Sequence, residues 1–461
     1  MGDTRFQGMK DIKTFISGKM KGGNARSSLI FRNILASFVI KGWSVVVQLL
    51  LVPLTLACLG VYENGVWLTI SSVLLWIDNL DIGMGNGLRN KLATYIARND
   101  MAKAKEMVSS TFAMLIVISI PTAIMLIAAV AYYDTYNLFN VNPDIVSGLD
   151  TILIVAIILV CSTFTFKFLG NFYMGLQLPA VNNLLVTSGN TIALIGTYII
   201  YRAGVHSLLL IAVVNTAAPL AAYLVCYPIT FCWKYKHLKP SVKYVRLAAA
   251  KELFTIGMNF FTLQISGVVL FFSSNIIISK LFSPSMVTPY QIAHRYFMVA
   301  MLLFTIICTP YWSATTDAYE RKDYGWIKKA NKTLNRFMIF ICICIALMIL
   351  LSDFIYGIWI GGKADIPLTM TIIVGVYELV LIWSTRYSFV LNGIGVLRLQ
   401  LIMTIIASTT YIPLAILVGR YTGDINWLLV VMCSVNIPGL VVNAVQYHKI
   451  INQTATGIWK K

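Results

Sequence analysis

Apolar runs long enough to cross a bilayer recur from one end of this chain to the other, and that repetition leaves little freedom in what it can become. A helix of about 20 apolar residues matches the thickness of the hydrocarbon core. Twelve such runs are legible, at about 29–56, 63–82, 106–131, 151–177, 181–202, 207–232, 251–279, 287–310, 336–360, 366–392, 397–419 and 424–448. In hydrocarbon each backbone N–H and C=O must be bonded within its own segment, so each run is expected to be a helix. The chain has 461 residues, 58% hydrophobic and only 12% charged. Soluble domains carry roughly twice that share of charge. No connection between the runs is long enough for a soluble domain; the longest outer one is about 132–150. The expected fold class is an all-α polytopic membrane protein with about twelve transmembrane helices.

The net charge of +18 raises the possibility of a nucleic-acid partner, and the placement of the charge argues against it. If both termini are cytoplasmic, most of the 36 lysines and arginines fall on the cytoplasmic side. They cluster in the N-terminal tail, between runs two and three (Arg89, Lys91, Arg98, Lys103, Lys105), in 234–251 and in 321–336. Outer connections hold Arg202, Lys280, Lys363 and Arg420 beside Asp134, Asp144 and Asp150. That is the positive-inside pattern, so the basic balance reports topology and no nucleic-acid partner is expected. The first 27 residues are charged and lack an apolar core of signal-peptide length, so no cleavage is expected. The eight cysteines and four histidines are scattered, with no zinc-ligand spacing, so neither a metal site nor a catalytic constellation is expected.

The basic connection 233–250, WKYKHLKPSVKYVRLAAA, divides the runs six and six. The expected organisation is a cytoplasmic segment 1–28, a first bundle 29–232, the linker 233–250, a second bundle 251–449 and a cytoplasmic tail 450–461. Two matches suggest that the bundles are repeats. ARNDMAKAKEM precedes run three and ERKDYGWIKKA precedes run nine, with Arg98, Asp100 and Lys105 aligned to Arg321, Asp323 and Lys328 at an offset of 223 residues. FYMGLQL (172–178) ends run four and FVLNGIGVL (389–397) ends run ten, with Gly175 and Gly393 218 apart. Repeats with an even number of spans are parallel, related by an axis along the membrane normal.

A charge at mid-bilayer costs about 2.5–3.5 kcal/mol on the insertion scale, so the charges inside the runs are functional candidates. Lys41, Arg295 and Glu378 lie too deep to reach the headgroups and are read as lining an interior cavity, although Lys41 and Glu378 would alternatively neutralise each other across the halves. Lys167, Arg386 and Asp78 lie nearer the cytoplasmic ends, where they line the cavity or anchor to headgroups. Four cations against two carboxylates suit an anionic headgroup such as phosphate. Polar positions Gln48 in run one and Asn259, Gln264, Ser273, Ser274 and Asn275 in run seven place both helices against a cavity or each other. Tyr377 and Trp383 are interior aromatics suited to stacking on sugar rings.

LGVYENGVWLTISSVLLWIDNLDIGMGNGLRNKLA (59–93), TPYWSATTDAYERKDYGWIKKANK (309–332) and FVLNGIGVLRLQ (389–400) resemble the polysaccharide transporter family, which includes O-antigen flippases. That family belongs to the multidrug/oligosaccharidyl-lipid/polysaccharide (MOP) exporter superfamily. The resemblance implies a V-shaped pair of six-helix bundles around a cationic cavity, in the bacterial cytoplasmic (inner) membrane. It implies translocation of undecaprenyl-diphosphate-linked oligosaccharide from the inner to the outer leaflet by alternating access. The partners are then the lipid-linked glycan, membrane lipids and a polysaccharide polymerase or glycosyltransferase. Lys41, Arg295, Lys167 and Arg386 become the substrate-binding cations. No cofactor is implied beyond an H+ or Na+ gradient, for which Glu378 and Asp78 are the titratable candidates. A cation-coupled multidrug or metabolite antiporter would share this architecture, and a membrane glycosyltransferase or polymerase would share the sugar substrate.

The stretch LDIGMGNGLRNK (80–91) looks at first like a phosphate cradle, but the dinucleotide pattern G-x-G-x-x-G fails at Leu88 and follows a membrane helix instead of a strand. It reads instead as a cytoplasmic gate or hinge. Gly83, Gly85 and Gly87 turn the chain along the membrane surface, and a helix from about Leu88 presents Arg89 and Lys91 to headgroups.

Overall fold

The computed structural model describes residues 25–77, 84–249, 251 and 273–460, which are mostly helical, with no strand among them. Ten segments are long and apolar enough to span a membrane. The first, Val39–Ile77, holds runs one and two together, and run seven is described only from residue 273. Counting the first segment twice, eleven of the twelve expected runs are helices among the described residues. Large apolar side chains such as Val117, Ile124, Leu350 and Phe354 stand exposed on the outer faces, as lipid contact requires.

Helix α1 (Ala25–Ile77) breaks at Gly60, whose φ of 69° and ψ of −178° are open only to glycine. The chain reverses there. Before the break Trp43 meets Thr191 and Cys58 meets His206, so α1 ascends beside α7 (Pro179–Arg202). After it, Asn64 meets Thr288 and Leu68 meets Asn275, so the order is inverted. The remaining helices of the first half are α2 (Met84–Ala97), α3 (Met101–Tyr132), α4 (Thr135–Phe139), α5 (Leu149–Phe166), α6 (Phe168–Gly175) and α8 (Leu208–Pro228). The chain leaves α8 at Pro228 through a π-helical turn, Ile229–Lys234. The second half holds α9 (273–281), α10 (Pro284–Glu320), α11 (Tyr324–Leu350), α12 (Ser352–Ile360), α13 (Leu368–Ile394), α14 (Arg398–Thr422) and α15 (Ile425–Ile451).

The repeat read from two short matches is carried by the backbone. Asn99 (φ 58°) and Lys322 (φ 59°) both take the left-handed conformation, and each is followed by an aspartate that caps the next helix. Asp100 accepts from the Lys103 N–H, and Asp323 from the Trp326 N–H, satisfying donors that a helix start leaves free. At the second match Gln177 (φ 62°) and Gly395 (φ 86°) occupy equivalent left-handed turns. There the Leu178 N–H donates to the Tyr173 carbonyl, and the Val396 N–H to the Leu391 carbonyl.

Each half has its own apolar core. One runs from Cys58 to Ala249; the others lie in the second half, joined by Val52 and Leu56 of α1. Helix α1 thus packs on α7 of its own half and on α10 of the other. The halves approach closely at Gly65, where a Cβ would lie 1.8 Å from the Pro284 carbonyl oxygen. Gly65→Ala is therefore expected to cost about 1–3 kcal/mol through overpacking. Gly42, around which a Cβ would meet nothing within 4 Å, is the control. Thermal unfolding of the purified protein in detergent should show a lowered midpoint for Gly65→Ala and none for Gly42→Ala.

Candidate functional site

Helix α2 begins at Met84, four residues earlier than the sequence suggests, so Gly85 and Gly87 belong to its first turn and are buried. A hinge built from all three glycines is therefore corrected: two of them are helical, and Gly83 lies outside the described residues together with Asp78. The amphipathic reading of α2 holds. Met84, Leu88 and Leu92 recur at i, i+4, i+8 and are fully buried, Arg89 is exposed and Lys91 is half-buried.

The interior charges divide into two kinds. Lys41 on α1 is exposed and Arg295 on α10 is half-buried, and neither makes a hydrogen bond or ion pair with another described residue. A cation at that depth needs water or an anion beside it. Lys167 is half-buried at the junction of α5 and α6. Glu378 and Arg386 are nearly inaccessible, at 1% and 3% exposure.

Glu378 does not pair with Lys41. Its Oε1 lies 2.6 Å from Nδ1 of His294, inside the second half, between α13 and α10. The Tyr290 ring stacks parallel to the imidazole with centroids 6.1 Å apart, and Tyr377 lies 6.5 Å away. The Tyr411 hydroxyl closes the cluster through a 2.8 Å hydrogen bond with Ser274. His294 is the functional candidate the sequence reading passed over. The available signal was an ionisable residue well inside an apolar run, as with Glu378, obscured by the more conspicuous Arg295 next to it.

Arg386 is enclosed by aromatics, its guanidinium 4.0 Å from the Tyr387 ring centre and 5.9 Å from that of Trp383. Its Nε has no hydrogen-bond partner among the described residues. Asn443 on α15 reaches back to Ser384 and Ser388 on the same helix as Arg386, at 3.3 and 3.4 Å. Of the two aromatics suited to sugar stacking, Tyr377 is buried and Trp383 is 38% exposed.

A polar seam joins the halves beside the break at Gly60. Asn64 Nδ2 donates to Thr288 Oγ1 (3.2 Å), and Thr288 donates to the Val61 carbonyl (2.8 Å). Asn275 donates to the Leu68 carbonyl (3.2 Å), and Gln291 donates to Asn275 (2.7 Å). Lys280 donates to Asn137 Oδ1 (2.7 Å), and Asn140 to the Ser279 carbonyl (2.9 Å). Asn275 thus faces the opposite half, as the polar content of run seven suggested; Asn259 and Gln264 lie outside the described residues.

No family model matches the chain. An inward-facing multidrug resistance MATE family transporter of the MOP superfamily superposes with a TM-score of 0.76 at 14% identity, covering 89% of this chain and 95% of that one. The chain has the MATE fold. An outward-facing structure of a MATE transporter of the MOP superfamily superposes less well, with a TM-score of 0.60 at 14% identity over 94% and 96% of the two chains. A MATE structure in complex with MaD5 gives 0.63 at 16% identity over 94% and 97%. Among curated proteins, one from Yersinia pseudotuberculosis named for O-antigen export is 20% identical over 363 residues, 77% of this chain and 81% of that protein. The MATE fold bears out the expected all-α architecture of two related bundles, and with the ten apolar helices found among the described residues it makes this a multi-pass membrane protein.

Within that fold the buried pair is a stability element. Removing one partner of a buried ion pair leaves the other uncompensated, at about 3–5 kcal/mol. Glu378→Ala and His294→Ala are each expected to lower the unfolding midpoint, and the Ala/Ala double variant to lower it by less than the sum. A double-mutant cycle by thermal unfolding measures the coupling.

Proposed function

We propose that the chain is a flippase that moves undecaprenyl-diphosphate-linked oligosaccharide from the inner to the outer leaflet by alternating access. The observation that carries this reading is the charge left over inside the MATE fold. The carboxylate at mid-depth among the described residues, Glu378, is taken by His294, whereas Lys41 and Arg295 keep no described partner. An interior whose spare charge is cationic suits an anionic diphosphate and repels the cations that a typical drug antiporter carries. The relative named for O-antigen export and the sequence resemblance support the glycan branch over the antiporter.

In this reading Lys41 and Arg295 receive the diphosphate, with Lys167 and Arg386 as further cations toward the cytoplasmic side. Arg89 and Lys91 on α2 form the headgroup gate. The termini are cytoplasmic, the membrane is the bacterial inner membrane, and the energy source is an H+ or Na+ gradient acting at Glu378 or Asp78. A polymerase or glycosyltransferase takes or supplies the glycan.

A hydrogen bond to a charged group contributes about 1.5–3 kcal/mol, or roughly 10- to 150-fold in binding. In cells lacking their own O-antigen flippase, the chain should restore polymerised surface glycan. Arg295→Ala and Lys41→Ala should each reduce it at least about tenfold at equal membrane abundance. Full surface glycan from both variants, or drug resistance conferred in place of glycan, would sink this function.

A further inference from the structure

One face of α1 changes character along its length. Lys41, Gln48, Val52 and Thr55 stand at i, i+7, i+11 and i+14, a spacing that keeps them on a single side of a helix. Toward the break at Gly60 that side is closed: Val52 and Thr55 are buried, and Val52 belongs to the core of the second half. Further from the break it is open, with Gln48 and Lys41 both exposed.

Helix α10, which packs on α1, repeats the pattern. Pro284, Thr288, Gln291, Arg295 and Met298 recur at i, i+4, i+7, i+11 and i+14 on one of its sides. The first three form the seam, whereas Arg295 is half-buried and Met298 is 44% exposed. The two helices thus close the halves together near the break and leave a space between them beyond it. Gln48 lies about 18 Å along its helix from Gly60, and Arg295 about 16 Å along its own from Pro284, so they border that space at similar depth. Lys41 follows about 10 Å further from the break.

An amide inside an apolar span is costly against lipid and stable against water or a polar ligand. Gln48 makes no hydrogen bond to another described residue. Ser44, between Lys41 and Gln48, stands on the flank toward α7, where Asn190 Nδ2 lies 3.5 Å from its Oγ. Gln48, Ser44 and Asn190 are neutral, and each both donates and accepts hydrogen bonds. That is the complement of a sugar ring, whose hydroxyls do both; the flanking cations Lys41 and Arg295 offer donors only. Neutral amides beside cations match a sugar beside its diphosphate.

We infer that Gln48, with Ser44 and Asn190, is the sugar subsite of this cavity. It contacts the neutral sugar next to the diphosphate, while Lys41 and Arg295 hold the phosphates. Affinity then depends on the first sugar and not on charge alone. The inference rests on the flippase reading and adds recognition of the sugar to it.

The test is equilibrium binding to the full-length protein in nanodiscs. Three lipids serve as probes: undecaprenyl diphosphate alone, and the same lipid carrying one N-acetylglucosamine or one galactose. Two neutral hydrogen bonds add roughly 5- to 150-fold to binding, so the parent should prefer at least one glycosylated lipid over the bare one by about fivefold or more. Gln48→Leu should remove that preference, bringing the affinity for the glycosylated lipid down to that for the bare one, and Asn190→Leu should diminish it. Lys41→Ala should weaken all three lipids alike and keep the preference. A parent that binds bare and glycosylated lipids equally overturns the subsite. So does a preference that survives in both Gln48→Leu and Asn190→Leu, or a Gln48→Leu loss shared equally by the bare lipid. The parent comparison and Asn190→Leu decide even where Gln48→Leu does not fold. Equal binding of all three lipids leaves the flippase reading standing, whereas binding of none removes it together with the subsite.

Discussion

Hydrocarbon offers no water to a polar group, and every other feature of this protein follows from how that deficit is met. The backbone meets it by being helical throughout the described spans. Hydroxyl side chains meet it locally: Thr111, Thr163 and Thr216 donate to carbonyls one turn back on their own helices. Charged side chains have no such local remedy, so each is paired, enclosed or turned toward a space that water can reach.

Those three outcomes sort the interior charges by role. Glu378 and His294 are paired, which removes the main deep carboxylate from contact with a substrate. Arg386 is enclosed by the faces of Tyr387 and Trp383, whose π-electrons partly offset its charge. Lys41 and Arg295 are unpaired among the described residues, and they sit on the two helices, α1 and α10, that pack across the divide between the halves. Helix α10 therefore carries three features along its length: the seam at Pro284, Thr288 and Gln291, the buried pair at His294, and at Arg295 a cation with no described hydrogen-bond or ion-pair partner. A shift of one rigid helix acts on all three at once.

The internal repeat shows how much of such a fold rests on a few backbone positions. Asn99 and Lys322 share no side-chain chemistry, yet both hold a left-handed turn because an aspartate follows to cap the next helix. Gln177 does in the first half what Gly395 does in the second. The sequence match caught the capping aspartates but not these turns, since a left-handed residue is recognisable in sequence chiefly when it is glycine. The same bias misplaced the start of α2. Three closely spaced glycines read as a break, but Gly85 and Gly87 are absorbed into a helix whose Met84, Leu88 and Leu92 anchor it to the core.

Length and hydropathy alone determined that this chain is a bundle of about twelve membrane helices, because bilayer thickness and backbone hydrogen bonding permit nothing else. The distribution of lysine and arginine indicated an orientation, and spacing identified the two halves. Partnership was a different matter. Lys41, His294, Arg295, Glu378 and Arg386 are all ionisable groups at unfavourable depth, and nothing in their order along the chain says which meets which. Only the packing of α10 against α13 set His294 against Glu378 and left Arg295 without a described partner, since helices far apart in sequence have their relative rotation fixed by side-chain packing.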